Sequence, residues 1–414
     1  MHRRNFLKGA LFGTAGFLLP GNSLYAGSAP SLKITRIRYY SAPGYNKPLF
    51  NQARGIVEIE TNEGLTGIGE GGTRDMVEQC AAMLIGENPF RTEHLWQYLY
   101  RSMFYPPGRE KLHGLGAIEM ALWDLKGKAL GVPVYELLGG ATRDFVECYA
   151  TGFRQSKATT EEGRAEDCLK AGLRCYRIGP TGGNDPGVPF DFYEHARKTV
   201  DLCRRIDKAV GGQGRWAIDL HTRFDTTEAI KICDELQKLE PYFVEDIIRS
   251  ENPSVYRTVR NMTKVPIAVG EQFGDRWDTN ELIEDRLIDY SRVTLPNTGG
   301  VSELKKIASL CETHYVGLIP HFTGPLSTAA LVHVLGSSSP MRCMMELAGG
   351  EPEKPAYFND DYLLFQNGRL HLNPKPGWGV EFNPKKADFI MEIKENTKFP
   401  HPYLKSPDGA IHNW

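Results

Sequence analysis

Three carboxylates end successive apolar runs of the chain at an even spacing: Asp219, Glu245 and Glu271. The two steps between them are both 26 residues long (245 − 219 and 271 − 245). His321 follows after 50 residues (321 − 271), and Glu346 after another 25 (346 − 321). Three carboxylates brought together form a site of hard oxygen ligands, the kind that suits Mg²⁺. The spacing therefore predicts a magnesium site formed by the three acids.

The elements that must position these groups are short strands that recur with this period, with helical segments between them. A helix at 227–239, for example, has an apolar stripe beside charged faces. This is the period of a (β/α) barrel, in which the carboxyl ends of all strands open on one face. Eight strands are predicted, at residues 145–150, 175–178, 216–219, 242–245, 267–271, 290–295, 317–321 and 343–346.

The composition fits a soluble enzyme. Lys and Arg number 49 against 51 Asp and Glu, so charge indicates neither a nucleic-acid partner nor an anionic membrane surface. The eight cysteines are scattered without a Cys-x-x-Cys pair, which favours buried free thiols over zinc or iron–sulfur ligation. A chain of 414 residues exceeds one ordinary domain, so a barrel with a smaller partner domain is expected.

The boundaries of these parts follow from the patterning. Alternating strands and then helices indicate an α+β capping domain at 31–142, and the barrel with the active site follows at 143–362. The segment 363–414 is rich in Pro and Gly, and we expect it to pack back on the capping domain.

The first residues form an export signal rather than part of the fold. Arg3 and Arg4, with Phe6, Leu7 and Lys8 behind them, match the twin-arginine pattern, and residues 9–19 are apolar and uncharged. The predicted signal covers 1–29. It predicts a periplasmic protein whose partner during export is the twin-arginine machinery and whose mature form has no membrane attachment.

The stretch ALWDLKGKALGVPVYELLGG at 121–140, the turn at 62–70 and the ladder of acids and histidine together resemble the enolase superfamily, mandelate racemase subgroup. The resemblance covers nearly all of the mature chain. It implies an α+β capping domain on a modified (β/α)₇β TIM barrel, with Mg²⁺ as cofactor. It also implies lid segments from the capping domain, for which 43–48 and 69–72 are candidates.

Departures from the family's patterns narrow the expected chemistry. Racemising members carry Lys-x-Lys at the end of the second barrel strand, where this chain has Arg177. An arginine is too basic to exchange protons readily. His221 stands two residues after Asp219, as in acid sugar dehydratases of the mannonate and galactonate types, and is the expected acid for a departing hydroxide.

The general base is left open by the resemblance. His321 is the candidate, but Thr294 replaces the Asp that supports this histidine in galactonate-type relatives. Mannonate-type members use an Arg–Tyr pair, and Arg154 has no tyrosine that we can match to it. The base is therefore His321 or an unrecognised group. Glu346, Arg177 and Arg154 are expected to contact the substrate.

The function implied is that of a Mg²⁺-dependent hydro-lyase, which removes the proton next to a sugar acid's carboxylate and eliminates the 3-hydroxyl to give a 2-keto-3-deoxy acid. Two alternatives stay open: an epimerase or racemase on the same scaffold, and an exported sugar-acid or metal binding protein without catalysis. The sequence does not name the sugar. We also expect a homo-oligomer.

Overall fold

The computed structural model describes residues 31–45, 54–102, 105, 107–183, 187–322, 324–397 and 405–412. The export signal predicted at 1–29 lies outside these residues, as does the candidate lid segment from residue 46 onwards. The chain from Leu32 onwards forms one compact unit. None of the described helices is both long enough and apolar enough to cross a membrane.

The first part of this unit is an antiparallel sheet with helices against it. Its strands are β1 (Ile34–Ser41), β2 (Gly55–Thr61) and β3 (Thr66–Glu70), and its helices are α1 (Arg74–Ala81), α2 (Thr92–Tyr100), α3 (Arg109–Leu130) and α4 (Val134–Leu137). Strand β3 lies so close against α3 that a Cβ on Gly69 would clash with the carbonyl oxygen of Ala117. Helix α3 ends at Gly131, whose φ of 69° is the left-handed conformation common at helix C-termini.

The barrel has eight parallel strands, which confirms the predicted (β/α)₇β architecture. Neighbours along the chain pair in order, the last strand pairs with the first, and a parallel bridge between Leu318 and Cys343 completes the circle. The strands are β4 (Phe145–Thr151), β5 (Tyr176–Ile178), β6 (Trp216–Asp219), β7 (Val244–Glu245), β8 (Ile267–Val269), β9 (Tyr290–Ser291), β10 (Gly317–Leu318) and β11 (Met344–Ala348).

Several strands end earlier than the apolar runs suggest. Strand β8 stops at Val269 rather than at residue 271. A Cβ on the next residue, Gly270, would meet the backbone of Arg292 and Val293. Glycine therefore lets the chain leave the ladder close beside the neighbouring strand, and Glu271 lies just beyond the strand end.

The barrel helices are amphipathic and cover the sheet from outside. They are α5 (Glu161–Lys170), α6 (Phe192–Val210), α7 (Thr226–Leu236), α8 (Tyr256–Met262), α9 (Arg276–Glu284), α10 (Val301–Thr313) and α11 (Pro325–Gly336). The helix predicted at 227–239 corresponds to α7 and one 3₁₀ turn over Gln237–Leu239. The exception to amphipathicity is α11, which is buried on all sides.

The C-terminal segment contacts both sheets. Strands β12 (Leu364–Gln366) and β13 (Arg369–His371) form a hairpin that pairs with β4, whereas β14 (Asp388–Ile393) pairs with β1. Between them, the Trp378 amide donates to Asp124 of α3, which also accepts from the Ile68 amide. All eight cysteines are buried and none forms a disulfide.

Candidate active site

The predicted metal ligands meet at the carboxyl ends of β6, β7 and β8. Asp219 and Glu245 are directly paired across the first two of these strands. The three do not form one group, however. Asp219 belongs to two groups, one with His221 and Glu271 and one with Glu245 and Asp246, and the ligand atoms within each lie within 4.8 Å of one another.

Asp246 is a member of this cluster that sequence reasoning missed. It is buried, and its φ of 43° places it in the left-handed region. Burial, and then the negative charges of Glu271 and Asp219, raise its pKa well above the ordinary value. A second acid directly after a predicted ligand at a strand end was the available signal.

Two buried arginines neutralise part of the cluster's charge. Arg177 in β5 donates from Nη1 to Asp219 and, at 2.9 Å, to Glu245, and from Nη2 to Glu346 at 3.0 Å. Arg292, just after β9, donates to Glu245 at 2.5 Å and to Glu346 at 2.7 Å. Arg177 thus lies among the carboxylates, and its contact with substrate stays a prediction. Arg292 was not singled out, although an arginine inside the apolar run 290–295 was a visible signal.

The carboxylate of Glu346 is fixed in place by several hydrogen-bond donors. Besides the two arginines, Thr151 donates to it through its hydroxyl and the Phe322 amide donates at 3.4 Å. Burial opposes its ionisation, but Arg292 and Arg177 hold its pKa well below the ordinary value. Glu346 is therefore an ionised anchor between β4, β5 and the end of β10.

Two carboxylate oxygens of the cluster accept no hydrogen bond from the described residues and are suited to bind a cation. Oε2 of Glu271 and Oδ2 of Asp246 are buried and have no hydrogen-bond partner within the described part of the chain. Buried polar atoms are nearly always satisfied, so unpaired carboxylate oxygens call for a partner. The carboxylate cluster can hold a metal ion, and its all-oxygen acids fit a hard divalent one.

His321 follows β10 and faces this cluster. Its side chain is 9% exposed, and Nε2 lies 3.1 Å from Oε2 of Glu271, although the two are not aligned for a hydrogen bond. Burial lowers the pKa of the imidazole, which favours the neutral form. Thr294 pairs with His321 through the backbone, yet within the described residues neither the Thr294 hydroxyl nor Nδ1 of His321 has a hydrogen-bond partner. The threonine thus supplies no carboxylate to support the ring.

His221 approaches the same cluster from its exposed side. Its side chain is 54% exposed, and Nε2 lies 3.5 Å from Asp219 and 3.9 Å from Glu271. The backbone is left-handed at both His221 and Thr222, with φ values of 53° and 54°. The His221 amide donates to Asp219 at 2.7 Å, which stabilises this conformation. The two histidines therefore flank Glu271, one buried and one open to solvent.

A cavity of about 350 Å³ is lined by Glu346 and by other residues of the barrel and the capping domain. Arg154 and Phe322 line it from the barrel, and Arg54 lines it from the capping domain, ion-paired with Glu353 at 2.6 Å. No tyrosine hydrogen-bonds to the Arg154 side chain among the described residues. The volume suits a small organic molecule.

Comparisons with known proteins agree with this geometry. Residues 160–386 match the enolase C-terminal domain-like family, and residues 49–139 match the N-terminal domain of mandelate racemase/muconate lactonizing enzyme. A D-galactonate dehydratase family member from Streptomyces bingchenggensis is 31% identical over 395 residues, which cover 86% of this chain and 93% of that protein. A D-mannonate dehydratase from Caulobacter vibrioides is 30% identical, with 86% and 95% covered.

A solved structure gives the same result. An enolase from Pantoea ananatis with bound D-gluconate and Mg has a TM-score of 0.75 at 26% identity, with 92% of this chain and 100% of that one covered. The chain therefore belongs to the enolase superfamily of enzymes, in its mandelate racemase/muconate lactonizing enzyme family, among relatives that are hydro-lyases.

Proposed function

We propose that this protein is a Mg²⁺-dependent dehydratase of an acid sugar. The observation that carries the proposal is the pair of histidines on either side of Glu271. A cavity of small-molecule size meets the same site at Glu346 and Phe322. One histidine is buried and favours the neutral form, and the other is open to solvent. A base and an acid in different environments are what elimination of water requires. Relatives named as D-galactonate and D-mannonate dehydratases support the reaction class.

The ion would be held by Asp219, Glu245 and Glu271, with Asp246 beside them. When bound, it supplies positive charge that stabilises the negative charge developing on the substrate carboxylate. The unpaired oxygens of Glu271 and Asp246 support this assignment. Arg177 and Arg292 leave the cluster negative overall. Even without Asp246 and Glu245, whose pKa values are raised by burial, three acids (Asp219, Glu271 and Glu346) outnumber two guanidinium groups.

His321 is the base in this proposal. Neutral Nε2 takes the proton from C2, and the electrons of the C–H bond move towards the substrate carboxylate. They form the C2–C3 double bond when the C3–O bond breaks. Burial of the ring keeps water from competing for that proton. The base is neutral before the reaction because desolvation lowers its pKa, and the nearby carboxylates of Glu346 and Glu271 favour its charged form once it has taken the proton.

His221 is the acid. Its protonated ring delivers a proton to the C3 hydroxyl as the C3–O bond breaks, so that the leaving group departs as water. The enol then takes a proton at C3 and loses the proton of its C2 hydroxyl, which gives the ketone of a 2-keto-3-deoxy acid. Because the ring is more than half exposed, solvent can restore its proton after each turnover. Glu346 and Arg154 contact the substrate at the cavity, and Arg177 does so at the cluster.

The test is a screen of the purified protein with Mg²⁺ against aldonic and aldaric acids in D₂O, with the His321→Asn protein as the control. We expect at least one substrate to lose water and form a 2-keto-3-deoxy acid, and the variant to be inactive. Recovery of substrate with deuterium and inverted configuration would establish an epimerase instead. Tight binding of a sugar acid without exchange or water loss would establish a binding protein.

A further inference from the structure

Two buried carboxylates of the capping domain each reach the start of a barrel helix. Glu119 of α3 accepts from the amides of Val301 at 2.7 Å and Ser302 at 3.2 Å, at the start of α10. Glu70, the last residue of β3, accepts from the amide of Ser327 at 2.8 Å, at the start of α11. The first amides of a helix lack partners within the helix, and a carboxylate there satisfies them and complements the helix dipole.

The carboxyl group of Glu70 also touches the connection that leads into α11. A Cβ added to Gly324 would lie 2.5 Å from the carboxyl carbon and both oxygens of Glu70. The second oxygen, Oε1, is buried and has no hydrogen-bond partner in the part of the chain that the structure describes. Glu70 thus packs directly against Gly324, which lines the cavity next to Glu346.

This connection carries His321. At its first end, the His321 amide donates to the carbonyl of Val293 at 3.3 Å and the Phe322 amide reaches Glu346. At its other end, the described contacts to Glu70 come from Gly324 and Ser327. The connection is therefore fixed to the barrel at His321 and Phe322, and to the capping domain at Gly324 and Ser327.

We propose that Glu70 is a positioning residue for His321, whose carboxyl group fixes the start of α11 and so holds the histidine against Glu271. The proposal rests on the proposed function for its catalytic readout. It gives the capping domain a part in catalysis besides covering the substrate. Glu119 makes the same kind of contact to α10, but the segment 295–300 directly before α10 carries none of the candidate site residues.

That difference supplies a matched control. Glu70→Leu removes the acceptor with little loss of volume, and we expect kcat to fall about tenfold to a hundredfold with KM changed by less than about threefold, because small displacements of a reacting group have effects of this size. Glu70→Gln keeps one acceptor oxygen and should restore most of kcat. Glu119→Leu should lower Tm comparably while kcat is retained. Equal losses of kcat in Glu70→Leu and Glu119→Leu, or no loss in either, would overturn the proposal.

Gly324→Ala tests the contact from the opposite side. The backbone at Gly324 is extended, with a φ of −175°, so alanine carries no conformational penalty there. Its methyl group would displace the Glu70 carboxyl group, and kcat should fall. In a Glu70→Ala background that obstacle is gone, so the second substitution should cost little more. Independent, additive losses would contradict the coupling.

A third readout does not depend on turnover. Hydrogen exchange of the peptide that contains Phe322, Gly324 and Ser327 should be faster in Glu70→Leu than in the wild type and unchanged in Glu119→Leu. If the wild-type protein dehydrates no acid sugar, the proposed function fails while this measurement still decides the role of Glu70. Unchanged exchange in Glu70→Leu would exclude a positioning role.

Discussion

Among single residues, the acids of the cluster differ in how much negative charge they can offer. Asp246 is buried and its pKa is raised, whereas Glu346 is kept ionised by two arginines. Asp219 belongs to both candidate ligand groups. An ion could therefore bind on the side of Glu271 or on the side of Asp246. The two possibilities predict loss of metal binding and turnover in different variants.

We expect Asp219→Asn, Glu245→Gln and Glu271→Gln each to lose Mg²⁺ binding and to reduce turnover by more than about a hundredfold, because each removes a charged oxygen ligand. Asp246→Asn should cost about tenfold, as expected of a supporting group. Calorimetric titration with Mg²⁺ measures the first effect, and circular dichroism checks the fold. A loss with Asp246→Asn larger than that with Glu271→Gln would place the ion on the other side of Asp219.

Substitutions of the two histidines should affect different steps of the proposed reaction. His221→Asn removes the acid and should slow dehydration by about 10²–10⁴-fold, while exchange of the C2 proton with D₂O continues. His321→Asn should suppress both, since it removes the base. Proton NMR of a confirmed substrate in D₂O measures the two rates. Dehydration at a near wild-type rate in His221→Asn would show that another group protonates the hydroxide.

At the scale of elements, Arg292 joins three strands. It lies just after β9 and binds Glu245 of β7 and Glu346 of β11, and it also donates to the hydroxyl of Tyr149 on β4. These charges face the inside of the barrel, where solvent cannot compensate for a missing partner. The arginine thus ties strands on opposite sides of the barrel.

Arg292→Met should therefore destabilise the protein by about 3–5 kcal/mol, because it leaves buried carboxylates without a partner. Urea unfolding followed by circular dichroism measures the change. The control is Arg257→Met, which breaks exposed pairs with Glu281 and Asp285 and should have little effect. A similar midpoint for both variants would mean that the buried network contributes little to stability.

The elements also show what the sequence could reveal. The strand ends that carry Asp219 and Glu245 were predictable because apolar runs end abruptly in a charged residue. The predicted end at Glu346 was too early, since β11 continues to Ala348. The partition of the acids into two groups was not predictable, since it depends on where β8 leaves the sheet beside β9. Arg292 and Asp246 did leave signals, an arginine inside an apolar run and a second acid beside a predicted ligand. Neither signal is periodic, so neither was singled out.

For the whole molecule, export stays a prediction that lies outside the described residues. Changing Arg3 and Arg4 together to Lys keeps the charge but removes the pair that the twin-arginine receptor reads. We expect the precursor to accumulate in the cytoplasm of a host that has this pathway. Cell fractionation followed by immunoblotting measures it, with a single Lys8→Arg change as the control. Normal periplasmic accumulation of the Lys-Lys protein would disprove the signal.

The buried cysteines bear on the predicted twin-arginine export. All eight thiols are buried in the folded protein, and burial raises the pKa of Cys311 to about 12, so almost no reactive thiolate is present. An unfolded chain, in contrast, exposes eight ordinary thiols that oxidants can join in wrong pairs. If the chain is exported as predicted, completing the fold before export keeps these thiols from mispairing in an oxidising compartment, so that the fold itself protects them against oxidation.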